Sequence, residues 1–160
     1  MHPDSVHVLV EIPFQGNVKY EINEDHQVVV DRVLSTSMVY PGNYGHIPLT
    51  LAGDGDPMDA LIINHDAFLP GSLVECRVVA VLFTEDEKGR DEKIMVVPVS
   101  RVDSRFDFIQ DMEDIPEGQR EKIWHFFEHY KCLEKGKHVK VLGWGTGKEA
   151  WQAVQDSKQV

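Results

Sequence analysis

The sequence has little cysteine, little basic charge and no long apolar run. Two cysteines among 160 residues, Cys76 and Cys132, are too few for a disulfide framework and form no C-x-x-C pair. A reducing compartment is the simpler expectation. Lys and Arg number 16 against 27 Asp and Glu, a formal net charge of −11. A chain this acidic, with no basic run, would meet nucleic-acid phosphate or anionic lipid with the wrong sign. Bound cations can reverse that sign locally. No apolar stretch is long enough to span a bilayer, and Met1-His2-Pro3-Asp4 lacks the basic-then-apolar order of a leader. The expectation is an unprocessed cytoplasmic protein. Internal repeats, low-complexity tracts and linkers are also missing, and the length suits one domain, 1–160, with a core of its own.

What is present alternates. Val6, Val8, Val10 and Ile12 share one side of a strand that Pro13 ends. Val18, Tyr20 and Ile22 share one side of a second strand, with Lys19 and Glu21 on the other. Asn23 to His26 turns the chain into a third, Gln27 to Leu34, which carries Arg32. Seven glycines and prolines between Tyr40 and Asp59 predict a long irregular segment, which its aromatic and apolar residues keep from disorder. Ala60 to Ile63 reads as a short strand and Leu73 to Phe83 as a long one. Glu85 to Glu92 then reads as an exposed hairpin loop before a partner strand, Lys93 to Val99. Ile123, Phe126, Phe127 and Tyr130 are spaced for an amphipathic helix over Glu117–Leu133, between Pro116 and Gly136. Val139 to Trp144 looks like a last strand. Thr146 and Glu149 make a capping box for a C-terminal helix through Trp151 and Val154. The pattern is that of a β-rich α+β fold.

The chemistry concentrates in Asp54-Gly55-Asp56-Pro57-Met58-Asp59. Three carboxylates on one turn repel one another, which a cation or plain solvation can relieve. A calcium EF-hand is excluded: Met58 stands at the fifth position, Asp59 where glycine is needed, and His65 where a bidentate Glu is needed. Magnesium, hard and content with few carboxylates, is the better match. Asp86 and Asp91 read alone as a solvated loop tip, and gain meaning only beside that turn. Lys19, Arg32, Tyr40, Tyr44, Lys93, Tyr130 and Lys131 are cations and phenols that a core does not require. Each by itself is more often surface or packing than ligand. His125-Phe126-Phe127-Glu128-His129 matches the inverted zinc-peptidase pattern. Only Glu134 or Glu149 could complete such a site, and His125, His129 and Cys132 fall on one flank of the helix, the profile of a surface or subunit-contact stripe. An OB-type nucleic-acid binder is disfavoured by the charge.

Several blocks together resemble the soluble family I inorganic pyrophosphatases of bacterial type. They are the acidic turn, Val10-Glu11-Ile12-Pro13, Lys19-Tyr20-Glu21, Val30-Asp31-Arg32, Tyr40-Pro41 with Asn43-Tyr44-Gly45, Asp86 with Asp91 and Lys93, and His125 to Lys131. The resemblance implies a twisted five-stranded OB-like β-barrel with two main α-helices. It implies Mg2+-dependent hydrolysis of inorganic diphosphate to two orthophosphates by a metal-bound hydroxide. By the same resemblance Asp54, Asp59, Asp86 and Asp91 hold metal, with Glu11 near it through water. Lys19, Arg32, Tyr44, Tyr130 and Lys131 bind the phosphates, and Lys93 and Tyr40 support them. Asp56 is the expected base and Asp91 its competitor. A homohexamer is implied too, although Cys132 replaces the Asp that similar enzymes pair with a helix histidine across a subunit contact. His46 stands where an aromatic residue is common.

Overall fold

The structure, a computed structural model, describes residues 4–53 and 55–159. The valine alternation near the start builds β1 (Ser5–Ile12), and the next two alternating runs build β2 (Val18–Ile22) and β3 (Val28–Val33). β4 (Asn43–His46), β5 (Asp59–Ile62), β6 (Leu73–Asp86), β7 (Gly89–Pro98) and β8 (Val139–Gly145) follow. Two helices, α1 (Glu117–His129) and α2 (Gly147–Ser157), complete the set, with short 3-10 turns at Ser104–Phe106 and Met112–Asp114 that the residue pattern did not announce.

The main sheet runs β1-β4-β5-β7-β6-β8, and β1 also pairs with β6. That second pairing, Ser5 opposite Arg77 through Leu9 opposite Leu73, closes five strands into a ring. The expected five-stranded OB-like barrel with two helices is therefore borne out. β6 is long enough to serve two neighbours on one edge. Its first part takes β1, and from Val81 onward it takes β8. A bulge between Val78 and Ala80 makes the change of face possible. Val78 and Val81 pack with Val6, Val8, Val10, Ile62 and the α2 residues Ala150 and Val154. Val79, Ala80 and Leu82 pack with Leu61, Met95 and the α1 residues Ile123, Phe126 and Phe127. Each sheet face thus has its own helix, and the capping box expected at Thr146 and Glu149 opens α2.

Three expectations need correction. The segment from Tyr40 to Asp59 is not irregular throughout, because β4 lies inside it as an interior strand between β1 and β5. Gly45, read as an interruption, is what lets the strand in: a Cβ there would lie 1.8 Å from the carbonyl oxygen of Leu9. Glu85 to Glu92 is not an exposed loop. The β6–β7 ladder continues to Asp86 opposite Gly89, leaving only a tight turn, and successive charged side chains fall on opposite faces of it. α1 ends at His129 rather than at Leu133, and the chain turns from Tyr130 onward. β2 and β3, finally, pair only with each other, a two-stranded flap beside the ring.

Candidate active site

A cavity of about 750 Å³ lies where β1, the β2–β3 flap, β4, the ends of β6 and β7, and the residues after α1 meet. Each element delivers its polar side chains for a local reason. In the β2–β3 pairing Lys19 stands opposite Arg32, so one hairpin presents two cations together. Asp86 and Asp91 sit on adjoining strands near the end of the β6–β7 ladder, and neither is a solvated tip: Asp91 is buried and the Asp86 carboxylate is largely covered. Asp59 opens β5, directly opposite His46 on β4. Tyr130 and Lys131 follow the last turn of α1.

Lys93 is the electrostatic centre. It is 3% exposed. Its Nζ lies 2.8 Å from Asp59 Oδ2, 2.7 Å from Asp91 Oδ2 and 2.7 Å from the Tyr44 hydroxyl, to which it donates. Burial alone would push the Asp59 carboxyl up, but the Lys93 ammonium and hydrogen bonds from Lys93 and Tyr44 outweigh it and hold the group below its ordinary value. Burial would likewise lower Lys93, and the Asp59 charge reverses that, keeping the ammonium protonated. Tyr40 and Tyr44 are pushed up, first by burial, so both stay phenols that can donate. They stand 5.1 Å apart, and Tyr40 packs on Phe126 at 4.4 Å. Tyr130 stacks on Phe126 while lining the cavity, so its place on the apolar face of α1 and its place in the site are the same place.

The other cations are also met by carboxylates. Lys19 Nζ lies 3.7 Å from both Glu21 and Asp31, Lys131 lies 3.8 Å from Asp86, and Arg32 donates to Glu134. His46 Nδ1 is 2.7 Å from Glu11 Oε1. That hydrogen bond raises the imidazole pKa against the opposing effect of burial.

Of the residues singled out from the sequence, Glu11, Lys19, Arg32, Tyr44, Asp56, Asp59, Asp86, Asp91, Tyr130 and Lys131 all line this one cavity, as do Tyr40 and Lys93. Asp54 lies outside the described residues. Among the described residues no three His, Cys, Asp or Glu side chains converge tightly enough to hold an ion unaided. The donors on the wall are carboxylate oxygens, with the His46 imidazole turned onto Glu11. That set fits a hard divalent cation better than a thiophilic one. The histidines of α1 are elsewhere: His125 and His129 lie ring to ring at 4.5 Å, away from the cavity lining, and the carboxylate beside His129 is Glu128 of its own helix, at 3.1 Å.

Comparison with known proteins decides what this assembly belongs to. A family model described as inorganic pyrophosphatase matches residues 8–160. The chain belongs to the inorganic pyrophosphatase family. It is 51% identical over 154 residues to the inorganic pyrophosphatase of Sulfolobus acidocaldarius, covering 96% of this chain and 89% of that one. Among solved structures, the Helicobacter pylori inorganic pyrophosphatase superposes with a TM-score of 0.93 at 42% identity, over 96% of this chain and 91% of that one. The Thermus thermophilus inorganic pyrophosphatase gives 0.92 at 48% identity, over 98% and 90%. The resemblance carried by the acidic turn and its companion blocks is thereby borne out, and with it the enzyme class, an inorganic diphosphatase.

Two contacts around this cavity escaped the sequence. Glu134, which the sequence offers only as a candidate zinc ligand, accepts from Arg32. His46 bonds Glu11 across 35 positions. The only available signal for His46 was its place after Gly45 in a recognised block. Nothing in the sequence marked Glu134.

Proposed function

We propose that this chain, acting as one unit over residues 1–160, hydrolyses inorganic diphosphate to two orthophosphates with Mg2+ as its cation. The observation that carries the reading is that carboxylates, Glu11, Asp56, Asp59, Asp86 and Asp91 among them, share one cavity with Lys19, Arg32, Lys93 and Lys131 in a protein whose net charge is −11. A site built only for a cation needs no such cations, and one built only for an anion needs no such carboxylates. Diphosphate with a metal needs both. Asp59, Asp86 and Asp91, with Asp54, are the residues that would hold Mg2+, and Glu11 would stand behind them. When bound, Mg2+ offsets the charge of the diphosphate and makes water more acidic.

The chain's own residues do the rest. Lys19 and Arg32 come from one hairpin and Lys131 from the end of α1, so the anion is gripped from two sides. The phenols of Tyr44 and Tyr130 donate without adding charge. The anion replaces carboxylates as partner of these cations, since Lys19, Arg32 and Lys131 each face one already. Asp56 stands exposed on the acidic turn at the cavity wall and accepts the proton of the attacking water. Asp91 is the weaker choice for that role because it is buried against Lys93 at 2.7 Å. Hydrogen bonds from the cations to the leaving phosphate stabilise the charge that develops there. The family resemblance further supports a cytoplasmic homohexamer, which sedimentation or light scattering would test by mass.

Orthophosphate release from diphosphate, measured with Mg2+ and again with excess chelator, tests the reading. Release that needs the metal is expected, and no release with any divalent ion would overturn it. Asp56→Ala should keep the fold and Mg2+ binding while losing roughly 10²–10⁴-fold in kcat. Wild-type turnover in that variant would remove Asp56 from the role.

A further inference from the structure

Arg32 is anchored on one side and unsatisfied on another. Its Nη1 donates to Glu134 Oε1, 102 positions away in sequence. Its Nε is covered from solvent and has no hydrogen-bond partner among the described residues. Asp31 Oδ2 lies 4.0 Å from that Nε, beyond hydrogen-bond range. A covered donor without an acceptor is costly. The side chain therefore stands where Glu134 puts it, and not where its own hydrogen bonds would be best met. Glu134 itself does not line the cavity, whereas Arg32 and Lys137 do. It belongs to the turn after α1, where its N–H donates to the Lys131 carbonyl at 3.0 Å and its carbonyl accepts from Lys137 N–H at 3.3 Å. Lys137 Nζ approaches the same carboxylate at 3.6 Å. Glu134 is thus tied by the backbone to Lys131 and by its carboxylate to Arg32, two cations that reach the cavity from different elements.

We propose that Glu134 is a positioning residue for the diphosphatase reaction. It holds the plane of the Arg32 guanidinium from behind, so that the N–H groups it leaves unused meet phosphate oxygens of the substrate. The inference rests on Arg32 as a phosphate-binding residue under the proposed function. A guanidinium is a rigid fork, so fixing one nitrogen orients the others. Without that hold the long side chain regains its rotamers, and binding must order them again.

The test uses three variants, read by calorimetric binding of methylenediphosphonate with Mg2+ and by KM and kcat on diphosphate. Glu134→Gln keeps the reach of an acceptor oxygen and should stay within about threefold of wild type, because a neutral acceptor still serves Nη1. Glu134→Asp keeps the charge but loses the reach, and Glu134→Ala loses both. Both should raise KM and the analogue Kd by roughly tenfold, the low end for a hydrogen bond to a charged group, with kcat changed far less. Placed on Arg32→Ala, neither should add a further loss. Urea unfolding of each variant separates a fold defect from a site defect. The proposal is overturned if Asp behaves as wild type while Gln behaves as Ala, since charge and not position would then be at work. It is also overturned if Glu134→Ala binds as well as or more tightly than wild type, or if its loss persists on Arg32→Ala. Failure of the proposed function looks different: wild type itself would then neither bind the analogue nor release phosphate.

Discussion

Replacing Lys93 by Met removes one ammonium and little volume. Two carboxylates, Asp59 and Asp91, then lose the ammonium they share, and the Tyr44 hydroxyl loses its donor. The side chains of Lys93 and Asp91 are 4% and 9% exposed, but that of Asp59 is 29% exposed and keeps some water. The cost belongs near the lower end for breaking a buried pair, about 3 kcal/mol at pH 7 without metal. For a chain of this size that corresponds to a fall of about 6–12 °C in Tm. The pH dependence has a definite sign. Asp59 is held below its ordinary 3.8 in the folded protein, so its contribution is present at neutral pH and lost as pH falls through that lowered value. The contribution of Lys93, whose pKa is raised, is present up to its ordinary 10.5 and lost only at still higher pH. The gap between wild type and Lys93→Met should therefore be full at pH 7 and close in strong acid, where the carboxylates are neutral. Mg2+ at 100 times its Kd for the variant should add about 2.7 kcal/mol by mass action. Urea titrations followed by tryptophan fluorescence, in chelator and in Mg2+, at pH 7 and in acid, make the measurement. A variant as stable as wild type in chelator at pH 7 would refute the account of Lys93 as the cation that gathers the site.

Two further outcomes follow from buried groups. Asn43 is wholly buried and fully used: its Oδ1 accepts from Phe14 N–H and Phe68 N–H at 2.9 Å, and its Nδ2 donates to Asn64 Oδ1 at 2.6 Å and to the Asp66 carbonyl at 2.8 Å. Asn43→Ala strands the Phe14 and Phe68 N–H donors and the Asn64 Oδ1 acceptor, while the Asp66 carbonyl keeps the Asn64 Nδ2 donor at 3.0 Å, and should cost about 3 kcal/mol or more in urea unfolding. A loss under 1 kcal/mol would mean that water replaces the side chain. Burial, aided by the charge of Glu75, pushes the Cys76 thiol well up, so in the native protein at pH 8 it should resist iodoacetamide and react only after unfolding. Mass spectrometry of the alkylated peptides decides this, and native labelling of Cys76 would contradict its burial.

How much was readable depended on the range over which each feature acts. Strands β1 and β2 and the capped start of α2 are set by residues a few positions apart, and they appear in the sequence almost as they appear in the structure. β4 was hidden because Gly45 serves a neighbour: the reason for the missing side chain is the Leu9 carbonyl, 36 positions earlier (45 − 9). The outer part of the β6–β7 ladder was hidden because every residue from Glu85 to Glu92 except Gly89 is charged, as in a surface loop. Glu134 and His46 were hidden because their partners are 102 and 35 positions away, and a single carboxylate or imidazole carries no mark of what it faces.

By itself, the sequence determined the chemistry that was available. It supplied an acidic turn, scattered cations and phenols in blocks shared with a family, and a charge that turns away other anions unless cations intervene. The tertiary structure alone decided that these groups share one cavity, that Lys93 is buried between Asp59 and Asp91, and that Lys19, Arg32 and Lys131 are each already met by a carboxylate. Composition fixes which charges exist. Their pKa values and partners depend on distance and burial, which the ring of strands, the β2–β3 flap and the turn after α1 set together.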